Sequence, residues 1–516
     1  MSQPLPATTV IGIVGAGAMG AGIAQVAARA GHTVRLHDSN VDAIEAARSS
    51  LANELRALAA KGKLTASEAE AAIARVVPAP ALADLRDCGL VIEAVTEDLA
   101  VKQNLLRSLE RVVGADCLFA TNTSALSITA LGAALARPER LAGMHFFNPP
   151  TRMRLVEVVS GLLTSEATAQ TIAATARAWG KHTAFARSTP GFIVNRMARP
   201  YYAEAWRVLS ENAADPATLD AIARDCGGFP MGPFELMDLI GHDVNFAVTH
   251  AVFDATFGDR RYTPALAQQE LVRAGFLGRK TGRGIYDYRP GAVKPEPKVE
   301  AGADPVSRVT LVGSLGIATP IVTRLEAAGI EVSRVENRRG SPLNPSGWLE
   351  IGFARVMLSD GRCATQRAVE TDHPQLVLFD LALDYATTPR LALAAADQCG
   401  SAAFGTVCAT LGRAGFACSR LDDVAGLFLL RTAAMLVNEA ADAVAHGICT
   451  ADAIDEAMRY GVNYPRGPMA WAEAVGLDFF SRVLANLRAH YGEERYRTSV
   501  LIQRRGWSAT GFEGRP

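Results

Sequence analysis

The chain has 516 residues, too long for one ordinary hydrophobic core, so two to four domains are expected. Its 52 basic and 53 acidic residues nearly cancel, which excludes a global field for nucleic acid or an anionic membrane, although a local basic patch could still meet a small acidic ligand. The opening residues show no basic, apolar leader, no run of about 18 apolar residues appears, and the eight cysteines lie scattered without a CxxC pair or zinc spacing; a soluble, unexported, cytoplasmic protein with reduced thiols and no metal is expected.

Val10 to Val14 reads as a buried strand, Gly15-Ala16-Gly17-Ala18-Met19-Gly20 as a turn into an apolar helix from Met19 to Ala30, Gly31 as its stop, and Thr33 to His37 as a second strand leading to Asp38. In this context GxGxxG is a dinucleotide-binding fingerprint. Gly15 allows the tight turn, Gly17 lets the backbone approach a pyrophosphate at the helix N-terminus, and Gly20 lets the helix pack closely on the strand. Asp38, 18 residues after Gly20, stands near the expected ribose-binding position, where a carboxylate accepts from both hydroxyls and repels a 2′-phosphate. The cofactor expected is NAD.

Short β-branched runs then alternate with alanine-rich helical stretches to about Pro190. Leu90 to Val95, Cys117 to Thr121, Gly143 to Phe147 and Leu155 to Val159 read as strands, and Lys102 to Val113 as a helix, giving a doubly wound parallel sheet. After Gly191 long amphipathic helices dominate through Tyr288, and the proline-spaced stretch from Arg289 to Ser307 reads as a stiff, extended linker.

The remaining third repeats the first part in degraded form. Pro465, Gly467, Pro468 and Gly476 stand 235 residues after Pro230, Gly232, Pro233 and Gly241, with Glu439 and Asp455 in register with Glu204 and Asp220. Upstream, at an offset of 298, Gly313 matches Gly15, but Leu315 falls on Gly17 and Ala318 on Gly20. A leucine there blocks backbone approach to a pyrophosphate, so this module is expected to keep the fold without binding a dinucleotide. The offsets differ by 63, so about that many residues are missing from the second copy. The fold class expected is α/β: a Rossmann-type doubly wound sheet (1–190), an all-α domain (191–288), the linker (289–307), a degenerate Rossmann-like module (308–424) and a second all-α domain (425–516).

Thr121-Asn122-Thr123-Ser124, His145-Phe146-Phe147-Asn148-Pro149, Glu157, and Pro190 to Arg196 (PGFIVNR), together with VIEAVTEDLAVK, KGKLT and GRKTGRGIYDY, resemble the L-3-hydroxyacyl-CoA dehydrogenases over nearly all of residues 9–288. The resemblance implies that His145 is the general base and Glu157 its orienting partner. It places Ser124 and Asn195 on the substrate oxygen or on His145, adds Glu97, Lys102, Asn122 and Met19 to Gly15, Gly17, Gly20 and Asp38 around the cofactor, and sets Lys61 among the cations that can meet the CoA phosphates. Chemistry agrees. Removing a hydroxyl proton as hydride leaves the same carbon calls for a base that works in both directions near neutrality, and imidazole, with a reference pKa of about 6.5, is suited to it. A carboxylate on the far ring nitrogen fixes the tautomer and stabilises the imidazolium.

Small departures are Thr121 and Ala125 where serines are common, and the doubled Pro149-Pro150. In the second copy Leu430 falls on Asn195 and no counterpart of HFFNP is found, so that half is not expected to supply the chemistry. Family members dimerise through the helical domain, so the two internal copies are expected to pair within the chain, with a homo-oligomer also open. Long members of this kind act in phenylacetate breakdown on 3-hydroxyadipyl-CoA, which makes that thioester the leading expectation, with Arg152, Arg154 and Arg199 available for a second carboxylate. The alternatives are acetoacetyl-CoA and 3-hydroxybutyryl-CoA, general fatty-acid β-oxidation, a related dehydrogenase for a non-CoA hydroxy acid, or a silent NAD-binding scaffold.

Overall fold

The computed structural model describes residues 3–337, 347–508 and 510–512. Its contacts divide the chain into two compact units, Met1–Arg196 with His446–Val462, and Met197–Ala445 with Asn463–Pro516.

The first unit is built on β1 (Val10–Val14), α1 (Ala18–Arg29), β2 (Val34–His37), α2 (Val41–Ala60), α3 (Ala66–Arg75), β3 (Val76–Pro78), β4 (Cys88–Glu93), α4 (Leu99–Glu110), β5 (Leu118–Thr121), α5 (Ile128–Gly132), β6 (Leu141–Phe146), β7 (Leu155–Ser160), α6 (Glu166–Ala178), β8 (His182–Arg187) and α7 (Val194–Met197). The strands form one sheet in the order β3-β2-β1-β4-β5-β6-β7-β8. Its core joins Ile11, Ile13, Leu90, Ile92 and Met144 to Ile23 and Ala27 of α1 and Ile172 and Ala173 of α6, the small alanines letting the helices lie close on the strands.

Two strands depart from the parallel sheet expected, since β8 runs parallel to β7 and both therefore oppose the other six. β7 runs antiparallel to β6, with His145 directly opposite Glu157. Only residues 147–154 connect the two, and a parallel return needs a crossover of roughly a dozen residues or more, so the chain turns straight back.

The second unit opens with α8 (Arg199–Ser210), α9 (Pro216–Asp225), α10 (Pro233–Ile240), α11 (His242–Ala255) and α12 (Leu266–Arg273). Two buried carboxylates organise it. Asp220 accepts from the amides of Phe234 and Glu235 and from the Tyr286 hydroxyl, while Asp238 accepts from the amides of Ile285 and Tyr286, from Tyr288 and from His242, which pins the GRKTGRGIYDY segment. The proline-rich stretch that follows has no helix or strand, but it is tied down. Lys298 N donates to Thr218 Oγ1 at 2.9 Å, Glu300 N to Cys418 O at 2.8 Å and Val306 N to Thr410 Oγ1 at 3.2 Å.

A second sheet follows, from β9 (Arg308–Val312), α13 (Pro320–Ala327), β10 (Glu331–Val335), β11 (Trp348–Ile351), β12 (Ala354–Leu358), α14 (Ala364–Glu370), β13 (Leu376–Phe379), β14 (Arg390–Ala395), α15 (Ser401–Arg413) and β15 (Ala417–Arg420), in the order β10-β9-β11-β12-β13-β14-β15. Leu315 is 1% exposed: the side chain that replaced a glycine has become core. β14 is antiparallel to β13 and parallel to β15, repeating β6-β7-β8, and Arg390 pairs with Ala417 as Leu155 pairs with His182. The 235-residue register therefore extends upstream to this sheet. It puts Asp380 at the position of His145 and Ala392 at that of Glu157, so the counterpart that sequence did not find exists in a form without its chemistry.

The chain continues through α16 (Leu429–Ala445), enters the first unit as α17 (Ala451–Gly461), and ends in the second as α18 (Pro468–Val475), α19 (Leu477–Tyr491) and α20 (Val500–Ser508). Among the described residues no helix is long and apolar enough to cross a membrane. Within the second unit the helical copies reach into each other reciprocally. Tyr262 of the first donates to Glu439 at 2.5 Å, and Tyr496 of the second donates to Glu204 at 2.9 Å. The fully buried Arg431 pairs with Glu204 at 2.8 Å and Glu211 at 3.0 Å, and Arg261 with Asp442 at 2.5 Å. Removing one partner of a buried ion pair leaves the other uncompensated, so Glu204→Ala is expected to destabilise the second unit by about 3–5 kcal/mol, read from its urea unfolding transition.

Candidate active site

The three glycines of the first turn meet different neighbours. Gly15 has φ +104°, and a Cβ on it would stand 2.6 Å from Ala94 O; a Cβ on Gly20 would stand 1.7 Å from Gly15 O. A Cβ on Gly17 would meet nothing within 4 Å. Gly15 and Gly20 are thus required by the protein itself, and Gly17 keeps open a place for something else. Gly17 is also the N-cap of α1, whose first turn has no side-chain cap and no acid, while Met19 lies half-buried in that turn. Asp38, at the end of β2, accepts from Ala16 N at 2.7 Å through one oxygen and from Asn40 N at 2.9 Å through the other. Each carboxylate oxygen has a further lone pair for a ribose hydroxyl. An open cradle, uncapped helix amides and a carboxylate beside them fit a dinucleotide.

His145, the penultimate residue of β6, is 6% exposed, and its Nδ1 lies 2.6 Å from Oε2 of the fully buried Glu157. The other oxygen of Glu157 accepts from Ile193 N at 3.0 Å and Val194 N at 2.8 Å, where the PGFIVN turn opens α7. Gly191 and Phe192 both take positive φ to make that turn, and the rings of Phe147 and Phe192 flank the imidazole at 4.5 and 6.0 Å. Glu157 therefore ties strand, imidazole and helix start together. Asn195 follows directly, its Nδ2 making a long 3.5 Å contact with Ser124 O.

Ser124 is placed by Glu97. That carboxylate accepts from Thr123 Oγ1 at 2.5 Å, Ser124 N at 2.9 Å and Ala125 N at 3.2 Å. Burial opposes its charge, but the Thr123 hydroxyl, the Lys102 ammonium and the two amides outweigh burial and hold the carboxyl below its ordinary value. Asn122 uses its amide oxygen on Phe146 N at 2.8 Å, bracing the residue after His145.

Lys102 stands behind Glu97. It is 1% exposed, and its ammonium is committed to Glu93 at 2.8 Å, Val95 O at 3.2 Å and Glu97 at 3.4 Å. Its three donors have partners inside the protein, one of them the Glu97 carboxylate that places Ser124. Glu93, which also receives the Thr121 hydroxyl, was not singled out in the sequence; an acid closing an otherwise apolar strand was the available signal. Lys61, the exposed C-cap of α2, makes no hydrogen bond or ion pair with the other site residues. Of the arginines, Arg199 is buried in the second unit, donating to Thr249 at 2.8 Å, and Arg154 lies 3.0 Å from the His182 ring nitrogen; Arg152 is exposed.

A dinucleotide cradle beside an imidazole held by a buried carboxylate defines a nicotinamide-dependent dehydrogenase. The chain belongs to the 3-hydroxyacyl-CoA dehydrogenase family: residues 10–189 match its NAD-binding domain, residues 191–288 and 426–508 its C-terminal domain, and residues 356–424 the reduced Rossmann-fold domain of 3-hydroxybutyryl-CoA dehydrogenase. It is an NAD-dependent enzyme of that class. Among its relatives, the 3-hydroxyadipyl-CoA dehydrogenase of Escherichia coli (strain K12) is 41% identical over 98% of both chains. The 3-hydroxybutyryl-CoA dehydrogenase of Bradyrhizobium diazoefficiens is 39% identical over 56% of this chain and 97% of its own. A crystal structure of an Escherichia coli K12 protein described as 3-hydroxybutyryl-CoA dehydrogenase superposes with a TM-score of 0.86 at 40% identity, covering 98% of this chain and 99% of that one.

The glycine geometry separates folding from binding. Gly17→Val is expected to fold and melt like wild type yet lose at least about tenfold in NADH affinity by fluorescence titration, because its side chain enters only the space left for a ligand. Gly20→Ala, forced against Gly15 O, is expected to lower the melting temperature as well.

Proposed function

We propose that this enzyme interconverts 3-hydroxyadipyl-CoA and 3-oxoadipyl-CoA as a step of phenylacetate catabolism in the cytoplasm. The observation that carries the substrate is collinearity: the Escherichia coli 3-hydroxyadipyl-CoA dehydrogenase matches this chain over 98% of its length, degenerate half included. Relatives confined to the first half include 3-hydroxybutyryl-CoA dehydrogenases, named for a shorter acyl group, such as that of Bradyrhizobium diazoefficiens.

His145 is the acid-base group. With Nδ1 occupied by Glu157, Nε2 is the atom that takes the hydroxyl proton on oxidation and returns it to the ketone on reduction. Glu157 fixes that tautomer and stabilises the imidazolium, and its two backbone hydrogen bonds keep it from following the proton. Ser124 and Asn195 orient the substrate oxygen, Ser124 being held by Glu97 and Asn195 standing one residue beyond the amides that grip Glu157. Gly15, Gly17, Gly20, Met19 and Asp38 hold the dinucleotide, which when bound accepts or donates hydride at the nicotinamide. Lys61 is the remaining candidate for a CoA phosphate.

The proposed domain order is a dinucleotide-binding domain (1–190), a helical domain (191–288), a linker (289–307), a degenerate module (308–424) and a second helical domain (425–516). The reciprocal Tyr262–Glu439 and Tyr496–Glu204 contacts support reading the two helical domains as an internal pair that does within one chain what a dimer does between two.

Turnover of acetoacetyl-CoA and 3-oxoadipyl-CoA, compared by NADH absorbance, tests the substrate. A markedly higher kcat/KM for the dicarboxylyl thioester is expected. Preference for acetoacetyl-CoA would make this a short-chain enzyme, the reading favoured by the description of the solved Escherichia coli chain. His145→Gln is expected to lose about 10²- to 10⁴-fold in kcat while binding NADH normally, and wild-type turnover would remove the assignment.

A further inference from the structure

The segment His446–Val462 belongs by its contacts to the catalytic unit, although the chain on either side of it belongs to the other. Its helix α17 crosses β7 and β8, the two strands beyond His145. Three contacts fasten it. Arg187 N at the end of β8 donates to Ile448 O at 2.9 Å. The ring of Tyr460 stacks on His182 at the start of β8, with centroids 3.6 Å apart and planes 9° from parallel, and the Arg154 guanidinium lies 4.8 Å from the Tyr460 ring centroid while bonding the same histidine at 3.0 Å. Gly461 is buried so tightly that a Cβ would stand 2.6 Å from Leu155 Cδ2 and 3.1 Å from Val194 Cγ2.

Leu155 and Val194 bracket the catalytic pair. Leu155 lies two residues before Glu157 on β7, and Val194 supplies the 2.8 Å amide bond to Glu157 Oε1. Gly461 touches both, so the distance between the strand bearing the carboxylate and the turn gripping it is set from behind by α17. Cys449, at the other end of the segment, lies within electrostatic reach of Arg196 and Glu157, its thiol pushed up to about 12 chiefly by burial.

We propose that α17, contributed by the half that has lost the chemistry, is a working part of the active site, with Tyr460 and Gly461 positioning residues that hold β7 and the 192–195 turn in the register presenting Glu157 to His145. The degenerate half is then no appendage: one of its helices sets the geometry of the base in the intact half. The second unit shows the mirror arrangement. There α9, the counterpart of α17 at the 235-residue offset, lies on β14, with Asp225 bonded to Arg390 at 2.8 Å. Each sheet is backed by a helix from the other copy.

The proposal rests on reading His145 and Glu157 as the proton-handling pair, and the experiment separates the two. Tyr460→Ala, Tyr460→Phe, Gly461→Val and His145→Gln are made in the full-length chain and assayed with acetoacetyl-CoA and NADH, with NADH affinity measured separately by fluorescence. Small displacements of a catalytic group can cost about 100-fold, so Tyr460→Ala and Gly461→Val are expected to lose about 10- to 100-fold in kcat with NADH affinity unchanged. Tyr460→Phe, which keeps the stacked ring, is expected to restore turnover. Turnover of Tyr460→Ala close to wild type, in the presence of an inactive His145→Gln, would overturn the proposal. So would an equal loss of NADH affinity and kcat, which would mark general loosening of the sheet. Wild-type turnover by His145→Gln would instead remove the reading on which it stands.

Discussion

Glu157 is the side chain on which the catalytic unit turns. It is fully buried, and a carboxylate taken out of water persists only if its charge is met by partners. Here one oxygen meets His145 and the other meets two backbone amides at the start of the chain's exit from the sheet. The charge that holds the His145 ring is thus the same charge that fixes where α7 begins. The reversal of β7 is what makes this possible. In an antiparallel pair the directly opposed residues project to the same face at close range, so a cross-strand neighbour of His145 becomes its hydrogen-bond partner with no loop intervening.

The degenerate half keeps one of these duties and drops the other. At the His145 position stands Asp380, buried, accepting from the amides of Phe428, Leu429 and Leu430, the counterparts of residues 193–195. Burial pushes its carboxyl up to about 6, with the helix amides pulling the other way. At the Glu157 position stands Ala392. The acid has moved one strand over, the imidazole has gone, and the helix start is still received by a carboxylate. The fold needs an acceptor for those amides from whichever strand can reach them, whereas the reaction needs a base as well. Leu315 illustrates the same separation at the nucleotide turn, where loss of the cofactor's space became gain of core.

The parts legible in the sequence are those carried by short spans. Gly15, Gly17 and Gly20 declare their roles within six residues, and His145 and Glu157 sit on neighbouring strands whose apolar runs mark them out. Even so, the direction of β7 was readable only from the shortness of residues 147–154, and the alternating pattern favoured a parallel strand. Lys102 was marked by the family resemblance alone, and its bond to the buried Glu93 nine residues earlier left no sign in the sequence beyond an acid closing an apolar strand. The contact of Gly461 with Leu155 joins residues some 300 apart in the chain and leaves no periodic trace. Asp380 escaped notice because DLALD (380–384) matches HFFNP (145–149) at no position; the register alone identifies it.

That register also shows what a duplicated chain allows. If the same helix had to back both sheets, as it must when two identical copies pair, one set of residues would have to fit both places. Here the positions have parted. Tyr460 stacks on a histidine where its counterpart Asp225 forms an ion pair with Arg390, and Gly461 lies flush against Leu155 where its counterpart Cys226 bonds the carbonyl of Arg390, the residue matching Leu155. The first sheet meets a stacked aromatic ring and a glycine, the second an ion pair and a thiol. Because α17 is tethered at both ends to the rest of its half, it faces the catalytic sheet at an effective concentration no dissociating partner could match. Tethering and divergence together give the silent half a physical reason to stay: it can fit one helix to one active site without having to fit its own.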